Sequence, residues 1–350
     1  MPLQAKKWLD SAILEDLSQV ERILEQGVGS SLAVPQELSK KLVAAGGKRI
    51  RPYLMCLTHR SIAKSAITGQ SPRGTLQDLY TLAAVAEWVH TATLFHDDVL
   101  DSSPTRREMP AAHTIHGNKV AILVGDFVYA EAFNLLMDRG LLAPSKSLAV
   151  TIKRVVEGEL VQHKMVLDRS LSEAEYHLIA QAKTASLFAW CTETGAWISG
   201  IEEYSVARDF GLALGHAFQM ADDLIDTFED GEVTSWCESA PPLPIVLAAK
   251  RSKEVARLWS LIPLQSDPAS LARMMGELQS ICREPKLIED CLNMIEARLN
   301  DAQSKLQILG AVNDLSWAIG AIWQRALEGA ALSRQSLQGF KDFELKFQER

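Results

Sequence analysis

Apolar residues recur along this chain at intervals of three and four, with polar positions filling the gaps. "LDSAILEDLSQVERILEQ" (9–26) sets Ile13, Leu17, Val20 and Leu24 on that spacing, and "AVTIKRVVEGELVQHKMVL" (149–167) repeats it. A one-sided apolar stripe of this period predicts amphipathic helices. Alternating runs of strand type are scarce. The clearest breaks are "AITGQSPRGT" (66–75), "SSPT" (102–105), "EDGEVTSWCESAPPLP" (229–244) and "LIPLQSDPAS" (261–270), each rich in turn formers. None is long or biased enough to be a flexible linker, and no repeat or low-complexity segment interrupts the pattern. The expectation is an all-α protein: one domain over 1–350, a single large helical bundle of roughly ten helices or more.

Composition refines this only slightly. The 350 residues are 47% apolar and 23% charged, enough for a substantial core, and the net charge is −8. An acidic balance argues against nucleic acid as a partner and against a polybasic membrane-binding surface. The first residues carry acids every few positions and show no signal-peptide pattern. No stretch approaches eighteen uninterrupted apolar residues, so no transmembrane segment is expected. Cys56, Cys191, Cys237, Cys282 and Cys291 form an odd set without CxxC spacing. They read as buried, reduced thiols in a cytoplasmic protein.

The candidate chemistry lies where apolar helix meets carboxylate. In "LFHDDVLDSSPTRR" (94–107), Asp97 and Asp101 are four apart and share a helix face, with Asp98 beside them and Arg106 and Arg107 following. "AFQMADDLIDTFED" (217–230) repeats the spacing with Asp222, Asp223 and Asp226, and Gln219 lies a turn before. Like charges at this spacing repel unless something neutralises them. A hard divalent cation such as Mg2+ does so, using one or two carboxylates per site together with substrate phosphates. The competing reading is a solvated acidic face. With Asp at about 5% of residues, one DDxxD arises by chance in roughly 4% of chains this long, so the second copy carries the argument. Arginines beside a metal–carboxylate cluster point to phosphate.

Six blocks follow one another along the chain: "GGKRIRP" (46–52), "HTATLFHDDVLDSSPTRR" (90–107), "GNKVAILVGDFVYAEAF" (117–133), "EGELVQ" (157–162), "KTASLF" (183–188) and "GHAFQMADDLID" (215–226). In that order they make the chain resemble the trans-isoprenyl diphosphate synthases, particularly the longer-chain polyprenyl type, octaprenyl among them. The resemblance is strongest over 40–250. It implies the isoprenoid synthase bundle, with the aspartate helices facing each other across a central cavity, and a homodimer. It implies Mg2+, about three ions per site once diphosphate is bound. Asp97, Asp101 and Asp222 would be the principal ligands, with Asp98, Asp223 and Asp226 as neighbouring ligands or supporting groups. Arg106, Lys183, Thr184 and Gln219 match residues around the leaving diphosphate of an allylic substrate. Lys48, Arg51 and Arg107, with His90 nearby, match the site for the second substrate, isopentenyl diphosphate. Outside the resemblance, Lys48, Arg49 and Arg51 also fit an ordinary charged helix start, and His90 a satisfied core histidine.

Product length is read from size. Ala92 and Thr93, five and four residues before Asp97, are small, and Ala86 and Val89 further down do not close the path. An open path predicts a product longer than farnesyl, although close helix packing uses small residues equally. The chain departs from the family after the second acidic cluster, where the loop within 229–244 is short and lacks the usual two lysines. No Lys or Arg occurs between Arg208 and Lys250, and Glu108 replaces a glycine. Two alternatives therefore stand beside the synthase: a weakly active or inactive partner subunit of a heteromeric synthase, and a class I terpene cyclase. The persistence of all six aspartates argues against the first, and "GGKRIRP" with Arg107 against the second.

Overall fold

The computed structural model describes residues 11–29, 32–64, 71–107, 109–202, 204–228, 239–262, 267–309 and 312–332. These are helical apart from one short hairpin, as the periodicity predicts. The chain divides into two compact units, Met1–Val150 with Trp190–Tyr204, and Thr151–Ala189 with Ser205–Arg350. The divisions fall within helices at residues 150 and 189, so no irregular linker marks them.

The first unit carries α1 (Ser11–Gln26), α2 (Ala33–Ala44), α3 (Ile50–Lys64), α4 (Leu76–Leu100), α5 (Ala112–His116) and α6 (Asn118–Asp138). It also holds the start of α7 (Leu142–Leu167) and the end of α9 (Ser186–Ile198). Helix α4 is its centre. Leu79, Leu82, Val85, Trp88, Val89 and Phe95 are all buried, the composition of a helix enclosed by others. It packs against α1, α3 and α6. A capping box starts it: the Thr75 hydroxyl accepts from the Asp78 N–H, and the Asp78 carboxylate accepts from the Thr75 N–H. Asp16 on α1 is fully buried and paired with Arg60 on α3, and Tyr80 on α4 donates to it at 2.8 Å. That shared carboxylate joins three helices, and removing Arg60 would strand a buried charge. The break read at 102–105 is real. Helix α4 stops at Leu100, Ser102 adopts φ 49°, and a two-residue hairpin follows, β1 (Thr105–Arg106) with β2 (Met109–Pro110).

Helix α6 is long and apolar enough to cross a membrane by length and composition alone, and a third of its most apolar window is buried; one such helix, with a charge at its centre, does not displace the expectation of no transmembrane segment. The criterion of an uninterrupted apolar run passes over it because Asp126 lies in its middle.

The second unit contains the rest of α7, α8 (Glu173–Ile179), a π-helical turn (Ala180–Ala185), the start of α9, and α10 (Tyr204–Phe228). It continues with α11 (Leu243–Arg251), α12 (Lys253–Leu261), α13 (Pro268–Cys282), α14 (Pro285–Leu309) and α15 (Val312–Leu332). Helices α14 and α15 pack along each other, and α11 packs on α8, α13 and α14. Cys56, Cys191, Cys282 and Cys291 are free and buried, as expected, and burial pushes each thiol pKa up. Glu108, Cys237 and residues 229–238 of the altered loop lie outside the described residues.

Candidate active site

Helix α4 builds the first half of the site in its last three turns. Asp97 is half-buried, and Asp101, its C-cap, is also half-buried and donates its N–H to the Asp97 carbonyl at 2.8 Å. Asp98 lies about 100° further round the helix and is only 2% exposed. Arg106 on β1 reaches back to it, with Nε and Nη2 each 2.6 Å from Asp98 Oδ1. Burial raises the Asp98 pKa against the pull of that guanidinium. The two aspartates at i and i+4 therefore stay on an accessible face, and the one between them is spent inside the protein. Burial and the negative charges of Asp97 and Asp126 raise the pKa of Tyr129 on α6.

Two turns up α4, the chemistry changes sign. His90 is half-buried, and its pKa is driven far down by burial and by Arg51, Arg107, Arg106 and Arg49 together. Four guanidiniums near one neutral imidazole give this part of the helix a cationic surrounding that favours an anion. The loop 45–49 supplies part of it. A Cβ on Gly47 would sit 3.2 Å from Arg107 Nη2 and 3.3 Å from Arg49 Nη1, so glycine is what lets the two arginines close over the backbone. Arg49 itself is anchored: Nε to Glu21 at 2.6 Å and Nη1 to the buried Glu87 at 2.9 Å. Burial lowers the Arg49 pKa, but the two glutamates outweigh it and hold the group above its usual range. Arg107 donates to the Leu42 carbonyl at 2.8 Å. Its pKa is lowered, by burial first and then by its arginine neighbours, with Glu87 opposing. Lys48 is exposed and Arg51 half-buried at the start of α3.

Of the two residues read for product length, Thr93 is half-buried on the same side as His90 and Asp97, and its hydroxyl donates to the His90 carbonyl at 2.7 Å. Ala92 is fully buried, as are Ala86 and Val89. Thr93 and Leu94 share the half-exposed stripe, whereas Ala92 packs into the core.

The second unit assembles the other blocks. Lys183 and Thr184 stand on the π-turn, a rare backbone form common at functional positions. Lys183 donates to Gln162 Oε1 at 3.0 Å and pairs with Glu159, both on α7. The Thr184 hydroxyl donates to Gln219 Oε1 at 2.6 Å, and Gln219 Nε2 donates to Asp223 Oδ1 at 2.8 Å. Asp223 is 8% exposed. Its other oxygen accepts the Leu243 N–H at 3.2 Å, filling an orphan donor at the start of α11. Burial raises its pKa to about 6, despite the hydrogen bonds from Gln219 and Leu243 that pull it down. Asp222 is half-buried, Asp226 is exposed, and Arg325 of α15 pairs with Asp222. The arrangement repeats that of the first cluster: accessible aspartates at i and i+4, a buried one between them.

The donor set suits Mg2+. Each cluster offers two carboxylates on one face, and among the described residues no three acidic, histidine or cysteine side chains converge. An ion held by such a pair would need water or phosphate to complete its shell, the habit of Mg2+ and not of a protein-caged metal.

Sequence reasoning missed the residues that hold this machinery in place. Glu87 had a signal, as a lone charge inside the apolar run "LAAVAEWVHTA". Glu159 and Gln162 lay within a quoted block without being singled out. Glu21 and Arg325 come from distant helices with no local mark.

Comparison with known proteins agrees with the geometry. The model of the polyprenyl synthetase family matches residues 33–262. The chain is 34% identical over 260 residues to the all-trans-nonaprenyl-diphosphate synthase (geranyl-diphosphate specific) of Rhodobacter capsulatus, covering 72% of this chain and 77% of the relative. It is 34% identical over 304 residues to the octaprenyl diphosphate synthase of Escherichia coli (strain K12), covering 84% and 90%. Its fold matches a polyprenyl synthase from Caulobacter crescentus CB15 crystallised with calcium and isoprenyl diphosphate. The TM-score there is 0.74 at 32% identity, over 93% of this chain and 96% of that one. The chain belongs to the polyprenyl synthetase family.

Proposed function

We propose that the protein extends an allylic diphosphate with isopentenyl diphosphate, head to tail and repeatedly, to a trans-polyprenyl diphosphate longer than farnesyl. One observation carries the reading. Within about 10 Å along α4, seven residues at 1.5 Å each, a carboxylate pair suited to a metal–diphosphate gives way to an arginine-ringed histidine suited to a bare diphosphate. Two diphosphates held by different chemistries, one ionising and one attacking, are what chain elongation needs. A cyclase has use for only the first, and an inactive partner subunit would have no need to keep both.

Bound Mg2+ supplies Lewis acidity to the departing diphosphate. We assign Asp97, Asp101, Asp222 and Asp226 to hold it, and Asp98 and Asp223 to anchor the two clusters. Lys183, held by Glu159 and Gln162, and Thr184, held by Gln219, present donors to charge as it develops on the leaving group. Lys48, Arg51 and Arg107 bind isopentenyl diphosphate, the arginines as planar forks and the lysine as a point charge. His90, kept neutral by its cationic neighbours, adds a hydrogen-bonding group without another charge. Holding both substrates in place makes the bond-forming step nearly unimolecular. The proton lost from the isopentenyl unit goes to the released diphosphate, since no side chain in the described site is placed as a general base.

The whole chain acts as one functional domain in this reading, and two copies pair. The support is the outward face of α6: Ile122, Leu123 and Met137 are 41%, 65% and 54% exposed. Asp126, a charge at mid-helix, makes lipid a poor cover for that face, whereas a second copy buries it. The reduced cysteines support a cytoplasmic location. The decisive experiment incubates the purified protein with labelled isopentenyl diphosphate, farnesyl or geranylgeranyl diphosphate, and Mg2+. Extended polyprenyl products are expected. Cyclic hydrocarbons, or turnover only after a second subunit is added, would overturn the proposal.

A further inference from the structure

Between Arg208 and Lys250 the chain has no Lys or Arg and eight acidic residues, yet the second aspartate cluster has a cation. Arg325 arrives from α15, about a hundred residues away. Its Nε pairs with Asp222, and its guanidinium lies 5.8 Å from the centre of the Phe218 ring. Phe218 and Asp222 are four apart, so ring and carboxylate share one face of α10 and together form a seat for a planar cation. A glycine sets the approach. Gly329 is one turn beyond Arg325, and a Cβ there would sit 3.0 Å from the Ile225 nitrogen and 3.1 Å from the Leu224 carbonyl carbon. Without a side chain at 329, α15 runs close to α10 at the turn that carries Asp222. Both members of the pair are about a quarter exposed, so the seat is within reach of solvent and of ions.

We propose that Arg325 is a built-in competitor for Mg2+ at Asp222. The guanidinium pairs with the carboxylate that a metal would take, so the two compete for Asp222. Arg325 therefore weakens metal binding at the second cluster. Arg325 is a regulating residue and touches no reacting atom. The inference rests on the reading of Asp222 as a metal ligand.

The test uses the full-length protein without substrate, in an Asp97→Asn/Asp101→Asn background that silences the first cluster, with Mn2+ followed by electron paramagnetic resonance. Arg325→Gln is expected to bind Mn2+ about fivefold more tightly than the background, the scale of one part-exposed ion pair. Arg325→Lys, which keeps the charge, should stay within about twofold. Phe218→Leu loosens the seat without removing the charge and should tighten binding about twofold, which keeps the test open if Arg325→Gln does not fold. Equal or weaker Mn2+ affinity in folded Arg325→Gln and Phe218→Leu overturns the proposal. Asp222→Asn separates the two levels: lost Mn2+ binding with no effect of Arg325→Gln refutes only the competitor, whereas retained binding removes Asp222 from the metal site altogether.

Discussion

Arg49 holds two carboxylates, and they make opposite predictions about which matters more. Glu21 is nearer, with Nε at 2.6 Å and Nη2 at 3.3 Å, whereas Glu87 makes one contact at 2.9 Å. Distance and contact number favour Glu21. Burial favours Glu87, whose side chain is 3% exposed against 38% for Glu21, around a guanidinium that is 12% exposed. At an effective dielectric constant near 20, charges this close attract by on the order of 4–5 kcal/mol before desolvation is counted. Water and salt return most of that at an exposed carboxylate, leaving about 1 kcal/mol or less. Inside, removing one partner of a buried pair costs about 3–5 kcal/mol, and the Glu21 contact that Arg49 keeps reduces this to about 2–4 kcal/mol. Glu87→Gln should therefore lower stability by about 2–4 kcal/mol, and Glu21→Gln by about 1 kcal/mol or less.

Urea unfolding followed by circular dichroism, compared at constant slope, measures both. The function proposed above links to the same pair, because Arg49 and Arg107 lie against Gly47 and the proposed isopentenyl diphosphate site includes Arg107. Glu87→Gln is expected to raise KM for isopentenyl diphosphate about fivefold with kcat little changed, since it disturbs binding and not the transition state. If Glu21→Gln costs as much stability as Glu87→Gln, burial does not govern this network and the reasoning fails.

Asp97→Ala and Asp222→Ala should each cut turnover by about a hundredfold or more while the thermal melt stays near that of the parent; full activity in either removes that residue from the site. Thr93→Phe should shorten the polyprenyl product, whereas Ala92→Phe should mainly overpack the core and cost about 1–3 kcal/mol; an unchanged product from folded Thr93→Phe takes the growing chain away from this face. His216 is held neutral, its pKa lowered to about 3 by burial, by Arg298 and by His177, whose Nδ1 is 3.0 Å from His216 Nε2. The unfolded chain binds the proton first, so this contribution is present above about pH 6.5 and is lost as pH falls, about 2 kcal/mol by pH 5. Melting curves at both pH values should show a steeper acid loss in the parent than in His216→Asn. Leu123→Glu with Met137→Glu should turn a dimer into a folded monomer on light scattering; an unchanged mass would place the contact elsewhere.

Helix class, the helices at 11–26 and 142–167 and both acidic pairs were legible because they depend on local spacing. The turn at 102–105 was legible for the same reason, through Pro104 and its serines. What escaped was whatever depends on a partner far along the chain. The π-turn at 180–185 has no composition of its own, since α8 and α9 continue the same pattern on either side. The side chain of Ala92 proved buried while Thr93 kept its exposure, a difference of 100° around a helix that size alone does not report. The missing loop lysines were visible in the sequence, but the cation at Asp222 was not, because Arg325 has no motif around it.

The two DDxxD segments explain why the motif has this shape and not merely two acids. In each, the first and last aspartates share a face by helical geometry, and the second points about 100° away. Three accessible carboxylates would repel one another and gain nothing for an ion that keeps its waters. Turning one inward converts repulsion into anchorage. Asp98 fixes Arg106 and with it the hairpin that carries Arg107, and Asp223 fixes Gln219 and the start of α11. The inward acid thus joins the metal face to the donors beside it, so a shift in one shifts the other. Asp98→Asn and Asp223→Asn should accordingly retain metal binding while losing turnover, the reverse of what a ligand substitution does. Mn2+ affinity measured beside kcat decides it: if affinity falls in proportion to rate, the inward aspartates are ligands after all.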